Sequence, residues 1–173
     1  FTPGTGSFQE LINVAKEDVY YLPDWVNTGD NDAVLKKVAV LANSAMATYL
    51  ALGAKDIDYL NRDGDSEFNV LINGVSGRAG SLAVDVVKNV FKANNVVGIN
   101  RSTPPAINPQ IDTFISLKDT NDDTEIANSL AKFPIHVTLD FIWGDQTHKV
   151  LSSLIKARNS RDESSLFLNW IEI

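Results

Sequence analysis

The chain contains no cysteine. Disulfides, thiolate nucleophiles and cysteine-ligated zinc are therefore excluded within its 173 residues. Histidine is nearly as scarce. His136 and His148 are the only two, and their spacing is not a metal-ligand pattern. The four tyrosines, Tyr20, Tyr21, Tyr49 and Tyr59, all precede residue 60, so no Tyr-x-x-x-Lys catalytic pair can follow. Long apolar runs are missing too, and a membrane-spanning helix needs about eighteen or more such residues. Basic residues are outnumbered 15 to 22 by acidic ones, giving a net charge of −7. That balance argues against a nucleic-acid partner, which requires a basic face. No secretory signal pattern is visible at the start, and the absence of cysteine is compatible with the reducing cytoplasm, the location expected here. The chain starts at Phe1 rather than Met and is expected to be either a fragment of a longer protein or a processed chain.

What is present is concentrated in one stretch. Val70-Leu-Ile-Asn-Gly-Val-Ser-Gly-Arg-Ala-Gly80 is an apolar β-run entering a turn, Gly74-x-x-Gly77-x-x-Gly80, followed by a helical pattern. This order builds a cradle for a dinucleotide pyrophosphate, spanning Gly74, Ser76, Gly77, Arg78, Ala79 and Gly80. Gly77 lets the backbone approach the phosphates, and Gly80 lets the helix pack closely on the strand. The helix start offers N–H groups and a positive dipole end to the anion. Arg78 either reaches a cofactor phosphate or points to solvent.

About twenty residues past the turn, the second apolar run, Val96–Ile99, ends in Asn100-Arg101-Ser102. NAD sites usually place a carboxylate here for the ribose 2′-hydroxyl. NADP sites avoid it and often supply arginine. The reading is therefore NADP(H), with Arg101 on the 2′-phosphate and Asn100 and Ser102 adding hydrogen bonds, rather than Arg101 as an ordinary loop residue. No Gly-Lys-Ser/Thr follows the turn, which argues against a P-loop nucleotidase.

The rest alternates. Strands are expected over 68–73, 96–99, 113–117, 136–142 and 166–171. Helices are expected over 31–53, 80–92, from the acidic start at 120–125 to 133–134, and 145–158. In the first helix Val34, Val38, Leu41, Ala45 and Tyr49 fall near one face, with Asn31 or Asp32 as cap. Short extended pieces are expected over 6–15 and 20–23, and a surface turn over 61–67. Alternating strands and helices imply an α/β fold: a Rossmann doubly wound parallel sheet with helices on both faces.

At this point five segments resemble the medium-chain dehydrogenase/reductases, in particular their zinc-independent quinone oxidoreductase branch. They are residues 4–23, Asn43 to Leu52, Val70 to Gly80, Val137 to Gly144 and Phe167 to Ile173, in that order. The resemblance implies a remnant of a GroES-like β domain over 1–25, then an NADP-binding Rossmann domain over 26–173 that is incomplete at its C-terminus. It implies hydride transfer from NADPH to a quinone or conjugated carbonyl. Phe141, Trp143 and Ile171 would then lie beside the nicotinamide. Trp143 sits just past a strand's carboxyl end, and either serves a ligand there or packs into the core. A homodimer joined through the last strand is also implied.

Departures accompany the likeness. Asn43 stands where zinc-dependent relatives carry a cysteine, which fits the zinc-free branch and no metal. Ala47 stands where relatives often have Ser or Thr. Asp140, inside an apolar strand, reads as a holder of loop N–H groups more than as an acid or base. The Gln146-Thr-His148-Lys stretch reads as a solvated helix face, and Asp122, Asp123 and Glu125 as dipole-favouring charge at a helix start. No catalytic residue can be assigned. The rival reading is a non-catalytic NADP-binding sensor, and even an enzyme's fragment is expected to bind NADPH without turnover.

Overall fold

The computed structural model describes residues 15–19, 21, 32–53, 59, 67–120, 122–161 and 168–173. The extended pieces expected over 6–15 and 20–23, the Asn31 cap, the turn over 61–67 and the remnant over 1–25 fall mainly outside them. Two compact units divide the chain, Phe1–Val40 and Leu41–Ile173. Described parts of the first are a 3-10 turn, Lys16–Asp18, and the opening of helix α1 (Asp32–Gly53), with an exposed Lys36–Asp32 ion pair one turn apart.

The second unit holds the sheet. Its strands are β1 (Asn69–Asn73), β2 (Asn95–Asn100), β3 (Thr113–Ser116), β4 (Val137–Asp140) and β5 (Asn169–Glu172). Between them lie α2 (Arg78–Asn89), α3 (Asp123–Leu130) and α4 (Asp145–Ser160). The strand order is β3-β2-β1-β4-β5, and every pairing is parallel. This is the expected doubly wound sheet. The chain runs outward from β1 through β2 to β3, then returns to the other side of β1 as β4. That reversal leaves a crevice at the carboxyl ends of β1 and β4, where ligands bind in open α/β sheets.

Two apolar layers cover the sheet. Val70, Ile72, Val137 and Leu139 face one way, against Ala83, Val84 and Val87 of α2 and Leu52 of α1. The alternate residues Leu71, Val97 and Ile99 face the other way, against Ile126 and Leu130 of α3 and Val150, Leu154 and Ala157 of α4. β1 is buried along its whole length because both its faces are covered. The buried residues of α2, Gly80, Ala83, Val84 and Val87, form a single stripe at helical spacing. In α1, Val34, Val38, Leu41 and Ala45 are half-buried as expected, but the stripe continues through buried Thr48 and Leu52. The 3.6-residue period carries it past Tyr49, which is exposed with its ring 5.9 Å from Phe91.

Away from the crevice, Tyr59 stacks on Phe68 at 4.5 Å and its hydroxyl accepts from Asn169 Nδ2 at 2.8 Å. Burial pushes that hydroxyl's pKa up, and the Asn169 bond partly offsets the shift. His136 precedes β4 at the amino end of the sheet, and its Nδ1 accepts the Asn69 N–H at 3.1 Å. His148 is exposed. No helix among the described residues is long and apolar enough to cross a membrane.

The acidic stretch after β3 does cap a helix. Asp122 accepts the Thr124 N–H at 2.8 Å, and Asp123 and Glu125 lie in the first turn of α3. The Thr124 backbone bond, then its hydroxyl, hold the Asp122 carboxyl below its ordinary pKa. A pKa depressed on folding means stability that is present above the unfolded-state value and is lost as pH falls through the folded one. Asp122→Ala should therefore lower the thermal midpoint at neutral pH. Melts of both proteins at decreasing pH should converge in acid; a constant gap would contradict the cap.

Candidate functional site

Because every strand is parallel, the turns that carry most of the expected site residues share one edge, while Ile171 lies within β5. Gly74 follows β1, Arg101 and Ser102 follow β2, and Phe141 to Gly144 follow β4. The glycine turn is tight. Gly74 has φ +88°, and its N–H donates to Ile99 O at 2.8 Å. Its own carbonyl accepts the Gly77 N–H at 3.1 Å. Gly77 then caps α2, with no side-chain hydrogen bond to that cap. The N–H groups of a helix's first turn lack intrahelical acceptors and suit an anion.

Gly80 lies within the first turn of α2. A Cβ there would stand 2.3 Å from Gly74 O and 2.9 Å from Val75 Cα, both backbone atoms. The helix start can sit against the end of β1 only because residue 80 has no side chain. A Cβ on Gly77 would meet only Gly74 O, at 3.4 Å, and the residue is exposed. Ser76 and Arg78 are also exposed, and Ala79 is half-buried. Arg78 opens α2, whose first turn has no acidic residue. A cation is disfavoured at that end of a helix by about 0.3–1 kcal/mol, so an anion nearby would relieve it.

At the end of β2, Asn100 Nδ2 donates to Ser102 O at 2.9 Å, shaping the turn. Arg101 is exposed, and its guanidinium has no hydrogen-bond or ion-pair partner among the described residues. It lines a cleft of about 530 Å³ with Leu117, Lys118, Asp145, Gln146 and Lys149. Lys118 and Lys149 thus join Arg101 at one opening in an acidic chain. Neither lysine carried a sequence signal, since the cleft needs the ends of β2 and β3 beside the start of α4.

The end of β4 is built around Asp140, which is fully buried. Its Oδ1 accepts from Asn73 Nδ2 at 2.9 Å, from the Ile142 N–H at 3.0 Å and, more weakly, from the Trp143 N–H at 3.5 Å. Its Oδ2 accepts the Thr147 hydroxyl at 2.7 Å. Asn73 Oδ1 in turn accepts Gln146 Nε2 at 2.8 Å. Strand alternation explains the meeting: Asn73 follows Leu71, and Asp140 follows Thr138, onto the face covered by α4. Asp140 holds the loop, as its place in an apolar strand suggests. The 146–149 stretch is only partly a solvated face, because Thr147 is buried and Gln146 half-buried where the first turn of α4 meets the sheet.

Trp143 is not a core residue. It is 59% exposed and has φ +66°, followed by Gly144 at +75°. That backbone costs a bulky L-residue about 1–2 kcal/mol. Phe141 and Ile171, by contrast, are half-buried against the α1–α2 side of the sheet. Ile142 lies over the glycine turn, so a Cβ on Gly74 would be 2.7 Å from its side chain.

No protein-family model matches the chain, and no curated protein matches it. Among solved structures it is similar to one described as the crystal structure of CurK enoyl reductase. Identity is 13% and the TM-score 0.48, over 78% of this chain and 43% of that one. The chain therefore spans less than half the length of that protein. The doubly wound topology stands on the strand pairing itself.

Proposed function

We propose that this chain is the NADP(H)-binding part of an oxidoreductase of the quinone reductase type, acting on a quinone or conjugated carbonyl. The observation that carries the reading is the approach of Gly80 to the Gly74 backbone. It seats an α2 start without a side-chain cap beside the crevice, on the edge that also bears Asn100-Arg101-Ser102, a segment with no carboxylate of its own, although Asp145 lines the Arg101 cleft and Asp119 accepts the Thr103 hydroxyl. These residues fit a dinucleotide. Gly77, Arg78 and Ala79 would receive the pyrophosphate, and Asn100, Arg101 and Ser102 the ribose 2′-phosphate. Phe141, Trp143 and Ile171 would border the nicotinamide end. When bound, NADPH supplies the hydride; the chain binds, orients and shields it.

One observation favours a second reading, a binding module without turnover. Asp140, the carboxylate beside the crevice, is fully buried with both oxygens engaged by Asn73, Ile142, Trp143 and Thr147, so it presents no open oxygen to a ligand. Calorimetric titration with NADPH and NADH tests the cofactor. NADPH should bind more tightly, and Arg101→Ala should weaken it about ten- to a hundredfold while leaving NADH nearly unchanged. Equal affinities, or no binding, would overturn the NADP(H) reading. Quinone-dependent NADPH oxidation by this chain alone should be absent; steady turnover would exclude the binding-module reading.

A further inference from the structure

Trp143 is held where neither burial nor backbone preference would put it. Its side chain is largely exposed, so packing does not fix it, and φ +66° is a conformation that a bulky residue avoids. The Asp140 carboxylate holds the turn that carries it, chiefly through the Ile142 N–H. Asn73 anchors Oδ1 and Thr147 anchors Oδ2, and the oxygen held by Asn73 also accepts the N–H groups of Ile142 and Trp143. The same turn rests Ile142 on Gly74, so the turns that follow β4 and β1 touch at the crevice. Backbone strain of this kind clusters at active sites and ligand clamps, where surrounding structure holds it.

We infer that Asp140 is a positioning residue, which clamps the turn after β4 so that the Trp143 indole stands at the crevice as a platform for the flat, nicotinamide-bearing end of the ligand. This rests on the dinucleotide reading of the site. An exposed indole offers a broad apolar face to a planar ring, and its electron-rich surface also attracts the cationic ring of the oxidised cofactor.

The test uses two probes, NADPH and 2′,5′-ADP, which carries the phosphate end but no nicotinamide. Trp143→Gly should weaken NADPH about three- to tenfold and leave 2′,5′-ADP unchanged. Its thermal midpoint should hold or rise, because glycine accepts the left-handed backbone. Trp143→Phe should keep NADPH affinity within about twofold. Thr147→Val, which removes one anchor of the carboxylate without changing side-chain shape, should weaken NADPH in the same direction and again spare 2′,5′-ADP. If both probes bind and Arg101→Ala weakens both, but Trp143→Gly leaves NADPH unchanged, the platform is overturned and the cofactor reading stands. Equal loss of both probes in Thr147→Val would reduce Asp140 to a structural role and overturn the inference. Failure of the unaltered chain to bind either probe would overturn both.

Discussion

Gly80→Ala is expected to lower the unfolding free energy by about 2–4 kcal/mol, although alanine is the better helix former by about 1 kcal/mol. The added methyl would stand 2.3 Å from Gly74 O, with Gly74 C and Val75 Cα both at 2.9 Å. All three are backbone, so no side chain can swing aside. Either α2 lifts away from β1, opening the layer of Ala83, Val84 and Val87 against Val70 and Ile72, or the turn distorts. Both routes move the helix start away from the crevice, and NADPH binding should go with it. Gly77→Ala is the contrasting variant. Its methyl would meet one oxygen at 3.4 Å, at an exposed position with φ −68°, which alanine tolerates. Stability should change by less than about 0.5 kcal/mol, while NADPH affinity should drop because the methyl stands where a phosphate would approach. Urea unfolding and calorimetry on the two variants separate the roles. A Gly80→Ala protein with the parent's urea midpoint would refute the close approach.

The same glycine is only partly legible from the sequence. Its role in strand–helix packing follows from spacing alone, because a Gly-x-x-Gly-x-x-Gly turn between a strand and a helix has few other uses. Spacing does not reveal that the helix has already begun by then. The expected start was Gly80, but α2 starts at Arg78 because Gly77 caps it, so the close contact is made from inside the first turn. At β4 the expected strand ran to 142, following the apolar residues Phe141 and Ile142. The chain leaves the sheet at Asp140 instead, because that side chain takes the N–H of Ile142 and bends the backbone into a turn. Element type was legible from periodicity; element ends depended on hydrogen bonds that periodicity does not carry.

The site divides along the same line. Gly74, Gly77, Gly80 and Arg101 were legible because each lies at a fixed distance along the chain from a strand end. Asn73, Gln146, Thr147, Lys118 and Lys149 were not. Asn73 and Asp140 are 67 positions apart, and they meet only because β4 returns to pair with β1. Strand–helix alternation alone is equally compatible with strands laid down in chain order. Trp143 was legible as a choice between ligand contact and core packing, and only its exposure in the fold excludes core packing.

Asp140→Ala should be the other severe substitution, costing about 3 kcal/mol or more. Four donors lose their acceptor together: Asn73 Nδ2, Thr147 Oγ1, the Ile142 N–H and the more weakly held Trp143 N–H. Asn73 is fully buried and Thr147 nearly so. Each donor left without a partner in such surroundings costs about 1–3 kcal/mol, reduced where a water can enter the space vacated by the carboxylate. Asp140→Asn keeps one oxygen for the loop N–H groups and should cost about half as much, since only part of the network must re-form. The coupling is the sharper measurement. Asn73→Ala alone leaves the carboxylate without one donor, and adding it to Asp140→Ala should cost little further, because the shared bond has already gone. A double-mutant cycle by urea unfolding should therefore give an interaction energy of about 1 kcal/mol or more between positions 73 and 140. Strict additivity would mean that the two residues sit side by side without holding the crevice together, and the turn bearing Trp143 would then need another support.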